Sequence, residues 1–129
     1  FLKGQKQRIS LARAVYADRD IYVLDDPLSA VDASVGKELW GGLIKGMLKE
    51  KLTFVITHQL QFSSEADEVV VVDQGKVVEV GSHTELLNIS DGVFTEMMKN
   101  YILEEEDENN SDDELLLEEK KETFGWSFG

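Results

Sequence analysis

The chain contains no cysteine, so a disulfide framework and thiol chemistry are excluded, and a reducing compartment fits. No apolar run reaches the length of about 20 residues that spans a membrane. Basic residues are also scarce, with 13 Lys and Arg against 26 Asp and Glu, a net charge of −13. Nucleic-acid binding requires a basic surface, and this composition therefore argues against it.

The acidity is concentrated near the end of the chain. Residues 103–122 contain eleven acids and two lysines, a net charge of −9, which leaves −4 for the rest of the 129 residues. We therefore predict one folded domain over residues 1–102 and a disordered acidic linker over residues 103–129. The chain opens with Phe1 rather than methionine, and we expect it to be a segment of a longer protein.

Helix and strand patterns alternate in the first half of the chain. A helix is predicted from Gln5 to Ala17, and Ile21–Leu24 is the short apolar run of a parallel strand buried on both faces. Pro27 ends that strand. Asp32 is a good N-cap for a helix from about Ala33 to Leu48, with an apolar stripe consisting of Val35, Leu39, Leu43 and Met47.

The second half predicts a strand, a hairpin and two helices. Thr53–Thr57 is an apolar strand, and Glu68–Val72 and Lys76–Val80 are joined by a turn in which Gly75 can take positive φ. Ser82 starts an S-x-x-E capping box, and a last helix runs from about Gly92 to Tyr101. The alternation predicts an α/β architecture.

Three chemically useful side chains follow the predicted parallel strands. Asp25 and Asp26 follow the first strand and His58 follows the second, so all three can meet at one edge of the sheet. One carboxylate could hold Mg²⁺, the other could activate a water, and the histidine could contact a phosphate. Alternatively, the aspartates form a strand-ending turn and His58 is a satisfied core histidine.

The segments GQKQRISLARAVYADRDIYVLDDPLSAVD, Gly4–Asp32, and FVITHQLQF, Phe54–Phe62, resemble the C-terminal half of an ATP-binding-cassette (ABC) nucleotide-binding domain. The resemblance extends to about Tyr101 and is strongest to the first such domain of the multidrug-resistance-associated, or C, subfamily. It implies a partial P-loop-NTPase-type parallel sheet with flanking helices and a C-terminal β-hairpin, followed by the disordered acidic tail.

The resemblance also implies roles for individual residues. Asp25 matches the Walker B aspartate that binds Mg²⁺, and His58 matches the switch histidine near the γ-phosphate. Asp26 occupies the position at which most ATP-hydrolysing members have a catalytic glutamate. Gly4 and Gln5 end the signature loop, which faces the phosphate of ATP held by the opposite domain. Ser29 and Asp32 belong to the D-loop that couples the two ATP sites.

The chain departs from the family pattern in three places. Leu2 and Lys3 replace the serine and the first glycine of the signature loop, and Asp26 is one methylene shorter than the usual glutamate. The sequence also lacks the phosphate-binding loop G-x-x-x-x-G-K-[ST]. Because that loop supplies most of the positioning for phosphoryl transfer, we expect the chain alone to be inactive.

The function implied is part of an ATP-driven exporter at the cytoplasmic face of a membrane, with ATP and Mg²⁺ as cofactors. Its partners would be a second nucleotide-binding domain and membrane-spanning domains, with no nucleic acid. The alternatives are a truncated non-catalytic regulatory or binding module and a soluble ABC-type ATPase. Glu122–Ser127 weakly resembles the approach to a second membrane domain, and Ser111 is either a phosphorylation site or part of a plain linker.

Overall fold

The computed structural model describes the backbone from residue 2 to residue 124 and the side chains from residue 2 to residue 108. The chain forms two compact units, the first ending at Phe62 and the second beginning at Ser63. Among the residues described, no helix is both long enough and apolar enough to cross a bilayer.

The first unit contains the elements that the sequence predicts for it, with small shifts of their ends. In chain order they are α1 (Lys3–Tyr16), β1 (Ile21–Asp25), α2 (Ala33–Leu39), a π-helical segment (Trp40–Met47) that continues α2, and β2 (Leu52–Ile56). A 3₁₀ turn follows at Leu60–Glu65. As predicted, Asp32 caps α2, because its Oδ1 accepts the Val35 N–H at 2.9 Å.

β1 and β2 form a two-stranded parallel sheet, in register from Ile21 opposite Leu52 to Asp25 opposite Ile56. The prediction that β1 is buried on both faces is wrong for the described chain. Tyr22 and Leu24 point into the core, whereas Ile21 and Val23 are 59% and 65% exposed. The reason is that the core, which includes Leu11, Trp40 and Ile44 besides these two strand residues, lies on one face of the sheet only.

The predicted stripe of the second helix is right in part: Leu39 and Leu43 are half-buried against the core, but the fully buried row lies one position further along the chain. The buried residues are Gly36, Trp40, Ile44 and Leu48, while Met47 is 68% exposed. The helix changes to π-helical winding at Trp40, in which backbone N–H groups donate to carbonyls five residues earlier. The Leu48 N–H accordingly donates to the Leu43 carbonyl five residues earlier, at 2.9 Å. The Trp40 ring stacks on Phe62 with centroids 4.6 Å apart, closing this core.

The second unit is built on the predicted hairpin. β3 (Val69–Asp73) and β4 (Lys76–Gly81) pair antiparallel, and Gln74 and Gly75 both have positive φ, as a tight hairpin turn requires. The predicted capping box begins α3 (His83–Leu87). The Ser82 Oγ accepts the Glu85 N–H at 3.2 Å, and the Glu85 Oε2 accepts the Ser82 N–H at 2.8 Å. The core is formed by Val71, Leu86 and Phe94.

The last helix, α4, runs from Val93 to Phe124, so the backbone of residues 103–124 is helical where disorder was predicted, and residues 125–129 lie outside the described residues. Ile102 and Leu103 are about half exposed, and packing therefore does not hold this part of the helix. The physical reason is local: glutamate and leucine are good helix formers, and the acid-rich composition that argues against a core does not argue against a helix. Ser111 lies outside the described side chains, and Trp126 lies outside the described residues.

Glu79 on β4 caps α4 from a distance in sequence, and its removal is expected to destabilise the second unit. Its carboxylate accepts the N–H groups of Val93 at 2.6 Å and Phe94 at 3.0 Å, and the residue is half-buried. Glu79→Ala leaves both donors without that acceptor, and we expect a loss of about 1–3 kcal/mol in urea unfolding. Glu68→Ala, an exposed glutamate of the same unit, is the control and should change stability by less than about 0.5 kcal/mol. Equal stability of the two variants would contradict this role for Glu79.

Candidate functional site

The aspartate pair lies at the carboxyl end of β1, and the segment leading to His58 leaves the carboxyl end of β2. Asp25 is paired with Ile56, and the Asp26 N–H donates to the Ile56 carbonyl at 2.7 Å. His58 follows two residues later. The structure thus brings the two loops to the same edge of the parallel sheet, where ligands bind in open α/β sheets.

Asp26 has an unusual backbone conformation. Its φ of 48° lies in the left-handed region, which aspartate tolerates better than most residues with a side chain. The groups around it hold this conformation: besides the bond to Ile56, its carbonyl accepts the Gln7 Nε2–H at 2.9 Å and the Ser29 hydroxyl at 3.2 Å. The direction in which the half-buried Asp26 side chain leaves the strand is therefore fixed by three neighbours.

Gln7 is a site residue that the sequence analysis missed. Its Nε2 also reaches the Ser29 Oγ at 3.2 Å, and its Oε1 accepts the Ala30 N–H at 2.9 Å, so one amide group joins α1 to the loop after β1. Its charged neighbours Lys6 and Arg8 make the position look like solvated helix surface. The available signal was its spacing of three from Gly4, which puts both residues on one face of α1.

Gly4 marks the closest approach between α1 and the same loop. A Cβ at this position would lie 2.6 Å from the Ala30 carbonyl oxygen, closer than real Cβ contacts allow. Glycine is thus required here for packing. Gln5 is exposed, and its Oε1 accepts the Leu2 N–H at 3.2 Å. The N-cap residue Leu2 has no side-chain acceptor, and the first turn of α1 has no acidic residue, so within the described residues no carboxylate of that turn compensates the positive end of the helix dipole.

The remaining predicted residues lie in the two loops. Ser29 and Asp32 are exposed, and both make local bonds, Ser29 to Asp26 and Asp32 as the cap of α2. His58 is exposed, so the alternative of a core histidine is wrong. Next to it, Gln59 donates to the Leu28 carbonyl at 3.4 Å, which links the loop after β2 to the loop after β1.

The residues present fit a magnesium ion that arrives together with a phosphate. The Asp25 carboxylate is exposed at the strand end, but within residues 2–108 no three His, Asp or Glu side chains are grouped as metal ligands. Mg²⁺ is commonly held by one or two carboxylates with substrate phosphates and waters, rather than by a cage of protein groups. The Asp25 carboxylate at the sheet edge can therefore hold Mg²⁺ together with phosphate and water oxygens, but it cannot hold the ion with protein ligands alone.

Comparison with known proteins gives relatives for most of the chain, although no protein-family model matches it. It is 55% identical over 97 residues to ABC transporter C family member 1 of Dictyostelium discoideum, covering 74% of this chain and 7% of that protein. It is 48% identical over 101 residues to ATP-binding cassette sub-family C member 2 of Homo sapiens, covering 77% of this chain and 6% of that protein. The chain thus spans only a small part of these relatives' length.

A solved structure has the same fold. The structure of a bacterial Atm1-family ABC exporter with ATP bound superposes with a TM-score of 0.74 at 29% identity, covering 79% of this chain and 18% of that one. The predicted α/β class, with a small parallel sheet, a hairpin and flanking helices, is confirmed. Over about three quarters of its length the chain is homologous to ABC transporter C-family proteins.

Proposed function

We propose that the chain is the C-terminal half of the first nucleotide-binding domain of a C-subfamily ABC exporter, and that it takes part in ATP-driven transport across a membrane. The main support is the junction of α1 with the loop after β1, where Gly4 and Gln7 meet the backbone that carries Asp26. In this proposal the junction links a helix end that would face the phosphates of one ATP to a sheet-edge carboxylate that would act on another.

The side chains at the sheet edge have separate roles in this proposal. Asp25 would hold Mg²⁺ together with the phosphates of ATP, and the ion would neutralise charge on them. Asp26 would orient and deprotonate the attacking water, and the exposed His58 would contact the terminal phosphate. Asp26 is shorter than a glutamate, which makes this a slow site.

The start of α1 would serve a second ATP molecule. Gly4 and Gln5 would face the phosphates of a nucleotide held by a second nucleotide-binding domain, and Ser29 and Asp32 would contact that domain. Association of the two domains would drive the membrane-spanning domains from the cytoplasmic face. The chain's own contribution is to hold α1 and the loop after β1 in a fixed relation, as the Gln7 bonds do.

A chimera tests the proposal. The 97 aligned residues of Dictyostelium ABC transporter C family member 1 are replaced by those of this chain, so that the host supplies its remaining domains. We expect the chimera to hydrolyse ATP in membrane vesicles and the 129-residue chain alone to show no turnover, because its sequence lacks a phosphate-binding loop. Azido-ATP labelled at the α- or the γ-phosphate reports hydrolysis at the grafted site, since the cross-linked peptide identifies the site.

Two controls make the result decisive. The unmodified host gives the reference activity, and a chimera whose grafted segment carries Asp25→Asn should lose Mg²⁺-dependent retention of the label at the grafted site. A well-expressed chimera that neither retains nor hydrolyses ATP would contradict the proposal. ATP turnover by the 129-residue chain alone would contradict the expectation that hydrolysis needs a phosphate-binding loop supplied from outside this sequence.

A further inference from the structure

We propose that Gln7 is a positioning residue that makes the orientation of Asp26 depend on α1. The inference deepens the proposed function and rests on it. Gln7 donates from Nε2 to the Asp26 carbonyl at 2.9 Å and to the Ser29 Oγ at 3.2 Å, while its Oε1 accepts the Ala30 N–H at 2.9 Å. One side chain on the helix therefore engages three residues of the loop.

The loop needs such a partner because its backbone departs from ordinary conformations. Asp26 has a φ of 48°, in the left-handed region, which costs free energy for residues with a side chain even though aspartate tolerates it better than most. The Ile56 carbonyl holds the Asp26 N–H from β2, and the hydroxyl of Ser29 reaches the Asp26 carbonyl from within the loop. From α1, Gln7 supplies a further hydrogen bond to the Asp26 carbonyl.

Only glutamine or a close analogue can make this set of bonds. The amide must donate toward two oxygens, the Asp26 carbonyl and the Ser29 hydroxyl, and at the same time accept from the Ala30 N–H. Gly4, one turn earlier, brings the helix close enough for the side chain to reach, because no Cβ separates it from the Ala30 carbonyl. A displacement of the start of α1 would therefore be transmitted to the backbone of Asp26.

The first test uses the full 129-residue chain and needs no nucleotide. In Gln7→Leu, the Ala30 amide loses its acceptor, and we expect its hydrogen exchange, measured by NMR, to accelerate by about tenfold. Lys6→Leu, which alters an exposed neighbouring position on the same helix, is the control and should leave the Ala30 amide unchanged. Equal exchange of the Ala30 amide in wild type and Gln7→Leu would overturn the inference.

Gln7→Glu separates hydrogen bonding from side-chain volume. Below a pH of about 4 the introduced carboxyl is protonated and can donate to the Asp26 carbonyl as the amide does. As the pH rises, the proton is lost, and a negative charge then faces that carbonyl oxygen. We therefore expect the Ser29 and Ala30 amide resonances of this variant to resemble wild type at low pH and to depart from it with a single titration. Ser29 and Ala30 resonances that follow wild type over the whole pH range would overturn the proposal.

The second test measures the consequence for hydrolysis in the chimera. Gln7→Leu should lower hydrolysis at the grafted site by about tenfold while changing the KM for ATP by less than about twofold, because the loop that binds the phosphates comes from the host. Lys6→Leu again serves as the control. If the chimera without substitutions is inactive, the proposed function fails and the Ala30 exchange still tests the coupling. If it is active and Gln7→Leu equals the control, the positioning role is wrong.

Discussion

Gly4→Ala is expected to lower ATP turnover of the chimera by about a hundredfold, because it forces α1 away from the loop after β1. The added Cβ would lie 2.6 Å from the Ala30 carbonyl oxygen, a backbone atom that cannot rotate aside. Helix or loop must therefore move by a sizeable fraction of an ångström. A misplacement of about 1 Å is enough for a loss of this size.

The same substitution should also reduce stability, against the usual trend for helices. Alanine normally favours a helix interior by about 1 kcal/mol over glycine, whereas overpacking costs about 1–3 kcal/mol. The net expectation for the 129-residue chain is a loss of up to about 2 kcal/mol in urea unfolding. Gly41→Ala and Gly42→Ala are matched controls, because nothing lies within 4 Å of a Cβ at either position.

The controls also define the contradicting outcome. Alanine at position 41 or 42 should be neutral or stabilising, since only the propensity term acts there. If Gly4→Ala behaves like these two variants in both unfolding and turnover, the close approach of α1 to the Ala30 carbonyl has no functional consequence. A loss of stability and of ATP turnover that occurs in Gly4→Ala but not in the two controls supports a functional role for this close approach.

Asp26 substitutions are expected to change hydrolysis at the grafted site in opposite directions. Asp26→Asn keeps the shape and the tolerance for positive φ but removes the base, and should lower the rate by about a hundredfold. Asp26→Glu lengthens the reach toward the water, which can return up to about a hundredfold. The longer side chain costs about 1 kcal/mol at the φ of 48°, roughly fivefold in rate, so a net gain of up to about twentyfold is expected.

A second aspartate provides the control for the free-energy cost of placing glutamate at positive φ. Asp91 is exposed and has a φ of 56°, and Asp91→Glu therefore measures the cost of glutamate at positive φ away from the candidate site. Azido-ATP labelling at the grafted site compares the three variants with the unsubstituted chimera. Equal hydrolysis by Asp26→Asn and the unsubstituted chimera would show that Asp26 is not the base.

The predictions from sequence succeeded where local pattern determines the structure. The helix around Leu11, the strand ending at Asp25, the cap at Asp32 and the hairpin turn at Gly75 each depend on neighbouring residues, and each is present. The position of the aspartates at a sheet edge followed from strand order, because parallel strands end on the same side.

Features that depend on tertiary contacts or on a choice between near-equal patterns were not predictable. Two apolar rows lie side by side along α2 and its continuation, and the burial of the row containing Trp40 depends on tertiary contacts such as the stacking of Trp40 on Phe62. The contact of Gln7 with the loop after β1 joins residues 19 to 23 positions apart, and nothing in its local sequence indicates it. The helix beyond Leu103 cannot be predicted from composition, because acidic residues are typical both of disordered segments and of exposed helices.

The one-sided sheet of the first unit has a consequence for handling the protein. Within the part of the chain that the structure describes, each strand of the β1–β2 pair has a hydrogen-bonded neighbour on one side only. Exposed aliphatic and aromatic side chains cover the outer face of this pair: Ile21, Val23, Leu52, Phe54 and Ile56. An exposed apolar sheet face with unpaired strand edges promotes aggregation by edge-to-edge strand pairing. Preparations of the isolated polypeptide should therefore become turbid in proportion to concentration, and mild detergent or a covering polypeptide should keep them clear.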